Sequence, residues 1–295
     1  MKIAENLMKQ SMLIAVSVVT IALATAAARE NSSRTQTIAG RYSVSINGME
    51  MYYEIRGDGA PLVLLHGFFS SGKLWNPVVR NFSKEFQVII PDLRGHGHST
   101  NPSKKFTHRQ SALDVFALLD HLGIDDFKAM GISSGGMTLL HMATQQPDRV
   151  KSMVLIGTTI YFPKEAREIM RQTTFEKRKD PDWIFVYDYQ TRGDEQLREL
   201  FSQFHEFKDS YDDMNFTSPY LSTITAQTLI IHGDRDIFFP ISIPLQMYRS
   251  IPNSYLWIVP NGDHVPIFGY MLPWFVGTTK GFLNNAWITP IKRGE

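Results

Sequence analysis

Phe127-Lys128-Ala129-Met130-Gly131-Ile132-Ser133-Ser134-Gly135-Gly136 is the stretch that decides the fold. An apolar run the length of a short buried strand ends abruptly in a Gly-Ile-Ser-Ser-Gly turn. An apolar, helix-competent segment (Met137, Leu139, Leu140, Met142, Ala143) follows at once. A G-x-S-x-G match between a strand and a helix predicts a nucleophile elbow, a turn sharp enough to force its serine into an awkward backbone conformation. Side chains at positions 131 and 135 would collide with neighbouring backbone, so the turn asks for glycine at both ends. A frame centred on Ser134 would need glycine where Ile132 stands, which leaves Ser133 as the candidate nucleophile.

Outward from this stretch the chain alternates. Two β-rich runs, 42–46 and 49–55, flank Asn47-Gly48, the strongest short-range hairpin signal. Leu62-Val-Leu-Leu65 is continuously apolar, as expected of a parallel strand buried on both faces. A helix over 74–82 and a strand over 86–90 follow. Thr107 reads as the N-cap of a helix that buries Ala112, Val115, Phe116, Leu118, Leu119 and Leu122 and stops at Gly123. After the elbow strand and helix comes a strand over 150–156. From 161 to 226 the pattern changes to charged and aromatic residues at helical spacing, without a convincing strand. Alternation then resumes with strands at 228–232 and 255–259 and helices at about 241–250 and 266–284. The reading is an α/β fold: a mostly parallel central sheet of about eight strands flanked by helices, entered by an antiparallel hairpin. Residues 38–160 and 227–286 form the core, and 161–226 a helical cap inserted after the sixth sheet strand.

The N-terminus reads differently. Lys2 and Lys9 precede a run over 12–28 that is apolar except for Ser17, Thr20 and Thr25 and ends in small residues before Arg29-Glu30. That describes a signal peptide over 1–28, cleaved near Ala27 or Ala28, with a polar linker over 29–37. Export to the periplasm or medium is the expectation. The alternative is an uncleaved membrane anchor, since ~17 residues is near the lower limit for spanning. The tail over 287–295 is expected to add no element. With a net charge of +1 and no basic stripe, there is no electrostatic case for a nucleic-acid partner. The absence of cysteine removes disulfides, thiolate metal sites and a cysteine nucleophile together.

A serine hydroxyl needs a base within hydrogen-bond reach to attack at neutral pH. Of the nine histidines, His264 lies in a loop directly after the last strand, where sites gather in parallel sheets. An acid must hold the imidazole tautomer, and the loop after the preceding strand, His232-Gly-Asp-Arg-Asp236, offers Asp234 and Asp236. His66 reads as structural. His96 and His98 share a glycine-rich loop, but no third ligand completes a metal set. Asp92 and Arg94 read as scaffolding of that loop. The Ser134 hydroxyl could touch substrate, or serine could stand there only for its size. Asp263, beside the candidate base, reads as solvent-facing.

With these motifs in order, the chain resembles the α/β-hydrolase superfamily over about 38–284. The resemblance rests on His66-Gly67-Phe68, Asp92-Leu-Arg-Gly-His-Gly-His-Ser99, the elbow, Gly233-Asp-Arg-Asp236 and Gly262-Asp-His264. It implies a triad of Ser133, His264 and Asp236, because the second aspartate of the Gly-Asp-x-Asp motif is the family's acid. It also implies an oxyanion hole made by the backbone N–H groups of Ser134 and Phe68. Relatives that transfer alkyl groups carry aspartate at the elbow, so Ser133 points to acyl chemistry. The expected activity is that of a cofactor-free serine hydrolase of the carboxylesterase type, acting through an acyl-enzyme. The same triad would serve a lactonase, a perhydrolase, a C–C bond hydrolase or an aminopeptidase. A ligand-binding module with vestigial chemistry is the alternative of another class. The substrate is expected to be a small molecule with an apolar acyl or aromatic group. About a quarter of the cap aromatics (Phe175, Trp183, Phe185, Tyr187, Tyr189, Phe201, Phe204, Phe207, Tyr211) are expected to face the cavity. Phe68, Phe69 and Phe268 are expected near its mouth.

Overall fold

The structure, a computed structural model, describes residues 38–286. The expected signal peptide (1–28), the linker (29–37) and the tail (287–295) lie outside the described residues.

The Asn47-Gly48 turn folds as the sequence predicts. Both residues take positive φ (44° and 71°), the left-handed geometry that matches the twist of the strands they join. The turn links β1 (Gly40–Ile46) to β2 (Met49–Arg56) in an antiparallel hairpin whose residues alternate between more and less buried positions. The remaining strands are β3 (Ala60–Leu65), β4 (Phe86–Pro91), β5 (Phe127–Ile132), β6 (Val150–Ile156), β7 (Gln227–Gly233) and β8 (Ser254–Val259). They complete one eight-stranded sheet in the order β1-β2-β4-β3-β5-β6-β7-β8. β2 joins β4 antiparallel, and every pairing from β4 to β8 is parallel.

Helices cover both faces: α1 (Asn76–Phe82), α2 (His108–His121), α3 (Ser134–Gln145), α4 (Lys164–Gln172), α5 (Gly193–Glu206), α6 (Ser242–Ser250) and α7 (Leu272–Leu283). The Thr107 side chain accepts the Gln110 amide at 3.0 Å and so caps α2. Alternate residues of one strand feed opposite cores. Val63 and Leu65 pack with α2 and α3, whereas Leu62 and Leu64 pack with α1 and α7. Burial on both sides is what the unbroken apolar runs require.

The last helix begins later than the sequence pattern suggests, at Leu272 rather than near Pro266. Gly269 at φ 59° breaks the backbone, and Pro273 fits only in a first helical turn. Residues 264–268 are therefore loop. Between β6 and β7 the described chain is helical: a 3-10 segment (Phe175–Lys179) and a one-turn helix (Val186–Tyr189) join α4 to α5, another one-turn helix (Ser218–Leu221) precedes β7, and a single bridge links Tyr161 to Asn215. Leu197, Leu200, Phe201 and Phe204 of α5 are buried in the same core as Val63 and Leu65.

The strand order fixes where a site can form. The chain passes from β3 outward to β4, then crosses back to β5 on the other side of β3. The carboxyl ends of β3 and β5 thus flank the point where the winding reverses, the crevice in which doubly wound sheets bind ligands.

Candidate active site

β5 runs directly into Ser133, whose φ of 50° and ψ of −116° is a strained conformation for a residue with a side chain. The turn is as crowded as the two glycines imply. A Cβ on Gly131 would lie 2.5 Å from the Gly135 carbonyl carbon, and one on Gly135 would lie 2.3 Å from the Leu65 oxygen. The Ser133 amide donates to the last carbonyl of β6, Ile156, at 2.8 Å. The elbow is thus tied to β6 through Ser133 and packed against β3 through Gly135.

Three loops bring the sequence-predicted residues together. His264, after β8, lies with Nε2 3.0 Å from Ser133 Oγ. Its Nδ1 donates to Asp236 Oδ2, after β7, at 2.8 Å. Asp236 is buried, and its Oδ1 accepts the amides of Phe238 (2.8 Å) and Phe239 (3.2 Å). Burial alone would raise the Asp236 carboxyl. The hydrogen bond and charge of His264, with the nearby His232 ring and the Phe238 amide, outweigh burial and hold it below the usual carboxylate range. Asp234 faces outward 3.9 Å from Arg235. Asp263 is exposed and accepts the Val265 amide at 3.0 Å, which agrees with its solvent-facing reading.

The two expected main-chain donors also flank the serine. Ser134 opens α3, so its amide has no intrahelical acceptor and lies at the positive end of the helix. Phe68 follows Gly67, where an added Cβ would stand 3.5 Å from Ser133 Cβ. Neither amide donates to another group among the described residues.

A cavity of about 230 Å³ opens on Ser133 and His264. Phe68 and Phe69 line it as expected. Of the nine cap aromatics named above, Trp183, Phe185, Tyr189, Phe204 and Phe207 line it too, more than the quarter expected, and so does Phe162. The excess arises because the insertion covers the carboxyl edge of the sheet rather than packing mainly within itself. Phe268 does not line it, but packs in the core on the opposite face of the sheet with α7, because the 264–268 loop turns away after Val265. Among the described residues no lysine or arginine lines the cavity.

The remaining polar candidates are scaffolding. His66 donates through Nδ1 to the Gly67 carbonyl (2.8 Å) and accepts the Leu93 amide on Nε2 (2.9 Å). Burial pushes its pKa down. Asp92 accepts the amides of Gly72 (2.7 Å) and His98 (2.9 Å), and Arg94 forms a buried two-pronged pair with Asp114. No group of metal-ligating side chains occurs among the described residues.

The sequence reading missed a second cluster. His108 Nε2 lies 3.1 Å from Ser134 Oγ, and its Nδ1 donates to Asp213 at 2.6 Å. His141 donates to the Asp213 carbonyl at 2.7 Å. The only trace of this in the sequence is that His108 follows the Thr107 cap.

The profile of the family described as the alpha/beta hydrolase fold matches residues 60–203. The human serine hydrolase BPHL is 28% identical over 233 residues, 75% of this chain and 79% of the relative. The 2-hydroxy-6-oxononadienedioate/2-hydroxy-6-oxononatrienedioate hydrolase 2 of Pseudomonas putida is 28% identical over 253 residues, 73% of this chain and 85% of the relative. The meta-cleavage product hydrolase of Pseudomonas fluorescens superposes with a TM-score of 0.69 at 22% identity, over 84% of this chain and 99% of the other. The chain has the α/β-hydrolase fold. In this fold, the crevice between β3 and β5 is where Ser133, the Phe68 loop and the aromatic cavity are expected to converge, and here they do.

Proposed function

We propose that this protein is a serine hydrolase that cleaves small, neutral carboxylic esters with an apolar or aromatic acyl group through an acyl-enzyme. The reading rests on one observation, the continuous hydrogen-bonded chain from Ser133 Oγ through His264 to Asp236 at the floor of an aromatic cavity. His264 takes the Ser133 proton as Oγ attacks the ester carbonyl. The amides of Phe68 and Ser134 receive the negative charge that develops on the carbonyl oxygen. His264 returns the proton to the departing alcohol. Water, deprotonated by His264, then attacks the acyl-enzyme and frees the acid. Asp236 keeps the imidazole oriented and stabilises its charged form throughout. No step requires a cofactor.

The cavity lining favours a neutral substrate. The Pseudomonas putida relative is named for dioates, which carry two carboxylates. Burying such groups without a cationic partner is costly, and no lysine or arginine lines this cavity among the described residues. Its volume lies below the ~300–1,000 Å³ of pockets for drug-sized ligands, which argues for a short or single-ring acyl group.

The test is a fluorophosphonate label located by mass spectrometry, followed by p-nitrophenyl esters of graded acyl length. Labelling at Ser133, with turnover falling about 10⁶-fold in Ser133→Ala, is expected. Stable ester capture without turnover would instead support the ligand-binding alternative. We further propose that the protein is exported with residues 1–28 removed. Mass spectrometry of the mature N-terminus tests this, and an intact Met1 in membranes would refute it.

A further inference from the structure

Ser134, His108 and Asp213 form a second hydroxyl–imidazole–carboxylate chain, one residue along from the first. The mechanism above gives it no task. His108 is wholly buried, with Ser134 and Asp213 nearly so. Asp213 is anchored on several sides. Its Oδ2 accepts both the ring (2.6 Å) and the backbone amide (2.7 Å) of His108, and its Oδ1 accepts the Arg109 amide (3.0 Å). The His141 ring of α3 donates to its carbonyl. Burial would raise the Asp213 carboxyl, but the charge and hydrogen bonds of His108 outweigh it, so the group stays a carboxylate. With Nδ1–H given to that carboxylate, Nε2 on the far side of the ring meets the Ser134 hydroxyl at 3.1 Å.

The three residues come from three places: the helical insertion, the first turn of α2 and the first turn of α3. Ser134 is also the residue whose amide faces the developing oxyanion in the reading above. We propose that His108 is a positioning residue that aims the Ser134 amide by holding the Ser134 hydroxyl, with Asp213 orienting the imidazole ring through its Nδ1. This inference rests on that reading of the Ser134 amide. Oγ and the amide nitrogen share one Cα, so fixing the side chain restrains the first turn of α3. Catalytic donors need to be held within about 0.5 Å of their working position.

Two substitutions at position 108 separate positioning from plain structural support. In His108→Asn the amide can mimic Nδ1 and keep donating to Asp213, but it cannot reach Ser134. In His108→Gln the amide oxygen can mimic Nε2 and accept the Ser134 hydroxyl, while the link to Asp213 is lost. Ser134→Ala keeps the backbone amide and removes the hydroxyl. On a p-nitrophenyl ester, His108→Asn and Ser134→Ala should each lose about tenfold in kcat with KM within about twofold. Both should bind a boronic acid, a mimic of the tetrahedral intermediate, about tenfold more weakly, with little change in melting temperature. His108→Gln should stay within about threefold of the unmutated kcat. Unmutated kcat in both His108→Asn and Ser134→Ala would overturn the proposal. So would a joint fall of kcat and melting temperature in His108→Gln with His108→Asn spared, because that pattern reports only docking of the insertion. An unmutated protein that neither turns over esters nor is labelled at Ser133 would overturn the reading of the whole site, not this relay alone.

Discussion

Asp234 and Asp236 share one loop and differ in what they touch. Asp236 Oδ2 reaches His264 Nδ1 at 2.8 Å, whereas the Asp234 carboxylate points to Arg235 at the surface. Asp236→Asn would place an amide where the imidazole N–H needs an acceptor and favour the wrong tautomer. kcat for an ester substrate is expected to fall by up to ~10⁴-fold with circular dichroism unchanged. Asp234→Asn should stay within about twofold, and a collapse of kcat there would overturn the assignment of the acid. Ser133, His264 and Asp236 were legible because each follows an apolar strand within a few residues, so the sheet itself delivers them to one edge. Between Asp234 and Asp236, spacing alone was silent, and the family motif decided. His108 and Asp213 were not legible. Their contact spans 105 residues, and no local pattern ties a first-turn histidine to an aspartate in a helical insertion.

The elbow makes the demand on its glycines measurable. Gly135→Ala would drive a methyl group to 2.3 Å from the Leu65 carbonyl oxygen, where strand and helix backbones have no room to part. A loss of about 3 kcal/mol or more in a urea titration is expected, and a loss below about 1 kcal/mol would mean that α3 can shift away from β3. On the same helix, burial pushes the His141 ring down to about 4, against the pull of the Asp213 charge. Below about pH 6.5 the unfolded chain takes up a proton that the folded one refuses, so the contribution is complete above that value. It is lost as pH falls toward 4, by on the order of 3 kcal/mol from this ring alone. Melting temperature should therefore drop between pH 7 and 4.5. His141→Gln, which can still donate to the Asp213 carbonyl without titrating, should flatten the slope; an unchanged slope would remove His141 as its source. Most strands and helices were legible from periodicity to within a residue or two. The start of α7 was not, because the apolar pattern runs on through 265–268 while Gly269 and Pro273 set the backbone boundary.

At the scale of the molecule, glutamines fasten the insertion to the sheet. Gln190 donates to the Phe69 carbonyl (2.8 Å) and accepts the Gly97 amide (2.8 Å), and Gln196 donates to the carbonyls of Gly95 (2.8 Å) and Gly97 (3.0 Å). Gln190→Ala would leave a buried donor and acceptor without partners, a cost of about 1–3 kcal/mol each. Hydrogen exchange at Gly97 and through 67–71 should accelerate at least tenfold, and unchanged exchange would show that packing of α5 alone holds the loops. The sequence told that an insertion exists but not how it attaches, since side-chain amides carry no periodic signature.

The largely apolar, aromatic-rich lining also bears on how a turnover ends. Under the proposed chemistry each cycle converts a neutral ester into an anion, in a chamber whose described walls offer no lysine or arginine to greet it. Retaining a carboxylate there would forfeit hydration worth several kcal/mol, so the acid is ejected by its own solvation. The free acid should inhibit far more weakly than a neutral ketone of the same shape, and such an enzyme keeps working as its product accumulates.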